Sequence, residues 1–322
     1  MSRPREDGIV IGTLEPGPRN SIADVGVAVG HVTVEVTGVT AVVPPLLPAP
    51  GGTAVLNGAG ELTGAHEIRE WGLLETPVYL TSTHAVGRVY DGAVQVAMAA
   101  DPRVGVDDVV IPVVGECDDS WLSDARLPHV QSGDVAQAVA TATPDFVRGA
   151  VGAGAGMSCF GWKGGVGSAS RRAGKHTVGV LLLTNFGTAE QLRVDGVPVG
   201  RLLGSPVDRK PGGSCIAVVA TDAPLSPQQL ERLARRAGLG LARAGSVAHH
   251  GSGEIFVAFA TSNERTFRDR ELDALFQATV DATEEAVLDS LWAGVDTTGR
   301  EGRTVPALPR ERVLELYRGR GR

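Results

Sequence analysis

The sequence predicts an α/β protein in which β-sheets are covered by helices on their outer faces. Short apolar runs bounded by glycine or proline recur along the chain, and several are apolar at every position. Such runs are typical of strands buried between two layers. They span residues 54–56, 78–80, 109–114, 178–183, 216–220 and 255–260. Helical patterns lie between these runs, without the regular alternation of a βαβ protein.

Three segments have clear helical patterns. Ser226 followed by Pro227 is a favourable N-cap and first helical position. One apolar helical face follows it, made of Leu230, Leu233, Ala237 and Leu241. A second helix is predicted over residues 271–292, with Gly294 placed to stop it. A third is predicted over residues 134–140.

Composition excludes several functional classes. The 322 residues carry a formal net charge of −7, which argues against a general nucleic-acid partner. The first eight residues, MSRPREDG, lack the apolar core of a signal peptide, and no apolar run reaches the ~20 residues that span a bilayer. The three cysteines are Cys117, Cys159 and Cys215, an odd number typical of reduced thiols. We therefore expect a soluble cytoplasmic protein without a membrane partner.

One candidate nucleophile is Ser214, which follows Gly212 and Gly213 and precedes an apolar run. A serine at the first position of a strand, behind a flexible backbone, can attack the carbonyl of Gly213. An ordinary glycine turn before a strand has the same local sequence, so the motif alone leaves both interpretations open. Cys215 is the alternative nucleophile, but strand alternation turns it away from the serine's face, as for a small buried hydrophobe.

A second polar segment precedes the run at 255–260. Alternation along an extended chain places Ser252 and Glu254 on one face, where a hydroxyl and a carboxylate can orient a nucleophile and its amine. A polar turn with a solvated glutamate is the alternative. An acid cluster of Glu116, Asp118 and Asp119 is either a counter-charge for a substrate or a solvated loop.

Two other motifs fit cofactor sites poorly. His249 and His250 would point to opposite faces of a strand and lack a partner at metal-ligand spacing. The glycine-rich stretch 152–167 lacks the order of a phosphate-binding loop, because Lys163 is followed by Gly164. We therefore expect no metal and no nucleotide cofactor.

Taken together, these segments resemble the L-aminopeptidase/D-esterase (DmpA) and β-peptidyl aminopeptidase (BapA) family. The likeness is strongest over residues 214–225 and 252–261. It extends through most of the chain in the family's order, over residues 20–31, 55–64, 81–87, 113–116, 156–171, 178–187 and 193–200.

The resemblance implies a four-layer α/β/β/α sandwich of the DmpA/ornithine-acetyltransferase-like type. It also implies that one catalytic domain, residues 1–322, cuts itself into chains 1–213 and 214–322 and assembles as a homo-oligomer, a tetramer of cleaved pairs. The implied activity is removal of small N-terminal amino acids, including D- or β-amino acids, from peptides, amides or esters.

The resemblance also assigns roles to residues. It makes Ser214 the nucleophile, Ser252 and Glu254 its supporting pair, and Asn185 a contributor to the oxyanion site. Glu116 or Asp118 is the candidate for binding the substrate ammonium. Family members can carry a tyrosine two places after the glutamate matched by Glu116, and Asp118 stands there in this chain. Substrate preference is therefore left open.

Chemistry supports activation by cleavage, because the α-amine of a terminal serine has an intrinsic pKa of ~7.7–8.0 and can accept its own hydroxyl proton. That amine is locked in an amide until the chain is cut. Two alternatives share the sequence features. One is an amide or oligoamide hydrolase, or an acyltransferase, that uses the same nucleophile. The other is a non-catalytic relative that binds a small amine.

Overall fold

The structure, a computed structural model, describes residues 2–207, 213–262 and 267–319. The strands are β1 (Ala28–Val34), β2 (Thr37–Val43), β3 (Ala49–Gly58), β4 (Leu73–Leu74), β5 (Val78–Ser82), β6 (Val113–Cys117), β7 (Ser158–Cys159), β8 (Trp162–Lys163), β9 (Gly165–Ala173), β10 (His176–Asn185), β11 (Gly213–Thr221), β12 (Ser252–Ala260), β13 (Thr297–Thr298) and β14 (Thr304–Val305). The helices are α1 (Ala65–Trp71), α2 (Val86–Ala100), α3 (Gly133–Ala140), α4 (Val199–Leu203), α5 (Pro227–Ala244), α6 (Leu272–Trp292) and α7 (Arg310–Arg318).

Two sheets stack face to face between helices. One has strand order β1-β2-β5-β6 and the other β4-β3-β12-β11-β10-β9. Apolar side chains of both, such as Leu80, Val113, Ile216 and Val257, fill the space between them. Helices α2 and α3 pack on the outer face of the smaller sheet, and α5 and α6 on that of the larger. The predicted four-layer α/β/β/α sandwich is confirmed.

Helix α5 forms where the sequence places it. The Ser226 hydroxyl accepts a hydrogen bond from the N–H of Gln229, whose side chain bonds back to the Ser226 backbone. The predicted apolar face is buried against the larger sheet and α6. Helix α6 also matches its prediction closely, but Gly294 does not adopt the left-handed conformation of a helix stop. A Cβ there would lie 2.4 Å from the carbonyl oxygen of Lys163, so close backbone contact requires this glycine.

One strand prediction was too long. Of the apolar run 109–114, only Val113 and Val114 belong to β6, which continues to Cys117. Val109 lies outside it and is 69% exposed. The prediction was too long because an apolar run alone does not distinguish a strand from the loop that leads to it. Among the helices of the described ranges, none is both long and apolar enough to cross a bilayer.

Candidate active site

The Gly213–Ser214 bond lies at the first two residues of β11. Gly212, the other glycine of the motif, falls outside the described residues. Gly213 has φ +126°, a conformation that side-chain-bearing residues rarely adopt. A Cβ on it would lie 1.6 Å from the carbonyl oxygen of Asn185. The residue before Ser214 is thus restricted to glycine by conformation and by space.

Ser214 lies between two strands in the middle of the larger sheet. It pairs with Asn185 of the antiparallel strand β10 and with Gly253 of the parallel strand β12. The N–H of Gly253 donates a hydrogen bond of 3.3 Å to Ser214 Oγ. Cys215 packs in the core beneath α5 and α6, whereas Ile216 packs between the sheets. The prediction that Cys215 faces away from the serine is therefore confirmed, and Ser214 faces the smaller sheet.

Ser252 and Glu254 are brought together at the start of β12, and the Ser252 hydroxyl donates a short hydrogen bond to Glu254 Oε1. Ser252 is the register partner of Gly213 across the parallel ladder. Both side chains are buried, and burial raises the pKa of Glu254. Its other oxygen, Oε2, is buried without a hydrogen-bond partner among the described residues. This carboxylate can therefore accept one further donor.

The carboxamide of Asn185 is fully buried and held at both ends. Oδ1 accepts from the N–H of Ser158 at 3.0 Å, and Nδ2 donates to the carbonyl of Asp118 at 2.7 Å. Nδ2 carries a second N–H. It lies 3.3 Å from the position that a Cβ on Gly213 would occupy. The amide nitrogen is therefore next to the backbone of Gly213.

A cleft of about 590 Å³ opens beside Ser214. Gly213, Ser214, Glu116 and Asp118 line it, together with Ala59, Gly60, Glu61, Thr83, His84, Ser120 and Gly251. The lining residues offer carboxylates, hydroxyls and backbone groups around one serine. Asn185, Ser252 and Glu254 are buried behind this lining, next to the bond in the sheet.

The two candidate acids of the cleft differ in environment. Glu116 is buried: the Glu61 N–H donates to its Oε1 at 3.0 Å, and the Thr83 hydroxyl donates a short bond to Oε2. Burial raises the pKa of Glu116, and these hydrogen bonds oppose the rise. Asp118 is exposed, and it accepts the N–H of Ser120 at 2.9 Å. Asp119 is buried outside the cleft lining, and burial raises its pKa to about 7.

The histidine pair lies elsewhere than predicted. His249 and His250 belong to the turn before β12 and not to a strand, so the argument from opposite strand faces was wrong. The His249 carbonyl accepts hydrogen bonds from Ser252 N–H and from Asn57 Nδ2. These bonds stabilise the turn that leads into β12. Across the described ranges, no three His, Cys, Asp or Glu side chains are grouped to hold a metal ion.

Sequence reasoning missed three groups around the site. Asn57 also donates to the Ser252 carbonyl at 2.6 Å, Thr83 holds Glu116, and Ser158 holds Asn185. All three residues lie in segments 55–64, 81–87 and 156–171, which carry the family resemblance. Their position in these segments is the one sequence feature that could have indicated a role for the three residues, since no local motif marks them.

Comparison with known proteins identifies the chain's family. Residues 20–305 match the family described as Peptidase family S58. The chain belongs to this family. It is 39% identical to the β-peptidyl aminopeptidase BapA of Sphingosinicella microcystinivorans over 94% of this chain and 90% of that protein.

Solved structures of aminopeptidases share the fold. The L-aminopeptidase D-Ala-esterase/amidase of Ochrobactrum anthropi, described as a variant of the Ntn hydrolase fold, superimposes with a TM-score of 0.92 at 34% identity. A β-aminopeptidase of Burkholderia sp. gives 0.92 at 40% identity. Each match covers 100% of this chain and 99% of the other. The predicted family, fold and reaction class, a hydrolase of the aminopeptidase type, are confirmed.

Proposed function

We propose that this S58 peptidase cuts its own Gly213–Ser214 bond, and that Ser214 then removes small N-terminal residues from peptides, amides or esters. The single domain would become chains 1–213 and 214–322. One observation carries this proposal: Ser214 is the second residue of a central strand, follows a glycine whose conformation and space exclude a side chain, and opens onto a cleft with a buried carboxylate.

In self-cleavage, Ser214 Oγ attacks the carbonyl carbon of Gly213. The C–N bond breaks as the C–O bond of an ester forms, and the proton lost by the hydroxyl goes to the departing amine. Water then hydrolyses the ester, which leaves a carboxylate on Gly213 and a free amine on Ser214. In later turnovers this amine acts as the base for its own hydroxyl, which forms an acyl-enzyme with the substrate while the proton passes to the leaving group. Water then hydrolyses the acyl-enzyme, which releases the amino acid and restores the Ser214 hydroxyl.

Ser252 and Glu254 are assigned to the new amine. By strand alternation they lie on the face of Gly213 and Cys215, opposite the Ser214 side chain. Ser252 is the register partner of Gly213, so it lies next to the bond whose cleavage would free the Ser214 amine. The Ser252 hydroxyl already donates to Oε1 of Glu254, so the unpartnered Oε2 is suited to accept from this amine as positive charge develops.

Asn185 is assigned to the oxyanion. Its Nδ2 donates one N–H to the Asp118 carbonyl, keeps a second N–H, and lies next to the backbone of Gly213. A well-placed donor of this kind stabilises the transition state by about 3–4 kcal/mol. Asp118 replaces the tyrosine that relatives can carry, and an ionised carboxylate accepts hydrogen bonds only. Asn185 is therefore the donor on which this chain relies.

Glu116 is the better candidate for binding the substrate ammonium. Its carboxylate is fixed by the Glu61 N–H and the Thr83 hydroxyl, yet each oxygen can accept further bonds. A fixed, buried anion pairs more strongly with a cation than the exposed Asp118 at the rim, which water screens.

We also propose that cut pairs assemble as a homo-oligomer, a tetramer in the family pattern. Exposed apolar side chains on neighbouring elements support a protein interface. Val55 and Leu56 of β3 are 61% and 56% exposed, and Leu239 of α5 is 57% exposed. Gly238, the residue before Leu239 in α5, packs close to Leu56, so α5 and β3 expose apolar side chains near one another. The three buried free cysteines fit a cytoplasmic location.

The substrate class is tested with a panel of p-nitroanilides of L-alanine, D-alanine and β-alanine. Relatives are named β-peptidyl aminopeptidases, and we expect this chain to hydrolyse the β-alanine and L-alanine compounds. The Ser214→Ala chain serves as the inactive control. A fully cut protein that binds these amines without hydrolysis would be a binding protein. Product formed only with an added acceptor amine would mark an acyltransferase.

A further inference from the structure

The glycine-rich segment 152–167, which lacks the order of a phosphate-binding loop, contains the buried ammonium of Lys163. Lys163 ends the short hairpin of β7 and β8, and its side chain is 0% exposed. Nζ donates to the carbonyl oxygens of Gly154 at 2.9 Å, Met157 at 2.7 Å and Gly164 at 2.9 Å. An ammonium has three N–H donors, so all of them are used within the segment.

A buried ammonium whose three hydrogen bonds all go to neutral carbonyls is a costly feature, and the charge of Asp119 offsets only part of the cost. Burial lowers the pKa of Lys163 to about 7, as expected for a charge removed from water. A methionine of similar length would fill the same space without that cost. What the ammonium adds is a fixed geometry for the backbone of residues 154–164.

That backbone geometry reaches the candidate oxyanion residue through one peptide group. The Met157 carbonyl that accepts from Lys163 and the Ser158 N–H that donates to Asn185 Oδ1 belong to the same peptide unit. Because a peptide group is planar, fixing its oxygen also fixes the direction of its N–H. A cation on the oxygen also polarises the unit and strengthens the N–H as a donor.

Orientation matters for Asn185 because the two ends of a carboxamide do opposite things. With Oδ1 held by Ser158, the Nδ2 end faces the Asp118 carbonyl and the backbone of Gly213. A flipped carboxamide would present an acceptor to the oxyanion and repel it.

We propose that Lys163 is a positioning residue, whose ammonium fixes the Met157–Ser158 peptide and thereby aims the Asn185 amide at the carbonyl under attack. This inference rests on the proposed function, since it takes Asn185 as the oxyanion donor.

We expect Lys163→Met to weaken stabilisation of the transition state and to leave substrate binding nearly unchanged. Removing one oxyanion donor outright lowers kcat by ~10²–10³-fold. A misoriented Asn185 amide should cost part of this factor. We expect kcat and the self-cleavage rate to fall by ~10- to 100-fold and KM to change by less than about 2-fold.

The test is a double-mutant cycle of wild type, Lys163→Met, Asn185→Ala and both, measured by intact mass over time and by hydrolysis. If Lys163 acts through Asn185, Lys163→Met should lower the rate by less than about 3-fold in the Asn185→Ala background. Additive losses would overturn the positioning role and leave that of Asn185 intact. An unchanged rate in Asn185→Ala alone would overturn both.

Two further variants guard the experiment against a folding defect. Lys175→Met removes the same charge from the exposed turn between β9 and β10, and it should leave both rates unchanged. Lys163→Gln keeps two N–H donors and replaces Lys163→Met in the cycle if that chain does not fold. Loss in Lys163→Gln that persists undiminished in the Asn185→Ala background would overturn the proposal.

Discussion

Acetylation of the substrate amine should lower hydrolysis by several orders of magnitude. The cleft places the buried carboxylate of Glu116 beside Ser214, and a neutral amide offers this anion no charge to pair with. Leaving a buried charge unpaired costs several kcal/mol. The measurement compares β-alanine p-nitroanilide with its N-acetyl form on the same cut enzyme. Equal rates would mark a general amidase and remove Glu116 from the site.

The same contact predicts a difference between the two acids of the cleft. Glu116→Gln should raise KM by ~10-fold or more and lower kcat less, because an ammonium contact is the same in ground and transition states. Asp118→Asn is the matched control at the exposed rim and should change KM by less than about 3-fold. The reverse order would transfer the role to Asp118.

Acid should weaken substrate binding for the same reason. Burial raises the pKa of Glu116 above its usual value, so its carboxylate is neutralised at a higher pH than that of an exposed glutamate. As pH falls through that raised pKa the anion is lost and KM should rise. Glu116→Gln should lack this rise.

Removal of Glu254 or Ser252 should lower turnover by ~100-fold or more, the usual range for a group that moves or stabilises a proton. Glu254→Gln keeps the shape of the side chain but loses the negative charge offered by Oε2. Ser252→Ala removes the hydroxyl that donates to Glu254. We expect kcat to fall in both variants. Glu190→Gln, a substitution of the same kind at an exposed position, should stay within about 2-fold of wild type.

Folding controls separate this effect from damage to the sheet. Glu254 lies in a central strand and is fully buried, so unfolding midpoint and oligomer size must be measured on each variant. Near-normal turnover in both Ser252→Ala and Glu254→Gln would show that neither residue has a catalytic role and would favour the alternative interpretation of the segment as a polar turn.

Sequence patterns predicted strands β10, β11 and β12 and helices α5 and α6 well, because there the local preferences agree with the packing. Helix α5 has a capping residue, a proline at its first position and one apolar face. Helix α2 was not predicted, since its preceding residue Ala85 provides no side-chain cap and Gly87 and Gly92 interrupt it. A Cβ on Gly92 would lie 2.3 Å from the Ser132 carbonyl. Packing outweighs helix propensity at this position.

The candidate site was predictable only in part. Alternation alone brought Ser252 and Glu254 to one face, and it turned Cys215 away from Ser214. The bonds from Lys163 through Ser158 to Asn185 connect the β7–β8 hairpin to strand β10. No spacing in the sequence encodes such a contact, because it depends on how the layers stack.

The most direct test of the central role of Ser214 is the intact mass of the purified protein under denaturing conditions. Wild type should give two chains, 1–213 and 214–322, and the smaller should begin with a free serine amine. Ser214→Ala should remain a single chain of 322 residues. Cleavage at the same bond in Ser214→Ala, or a wild type that stays whole yet hydrolyses its substrate, would contradict the account.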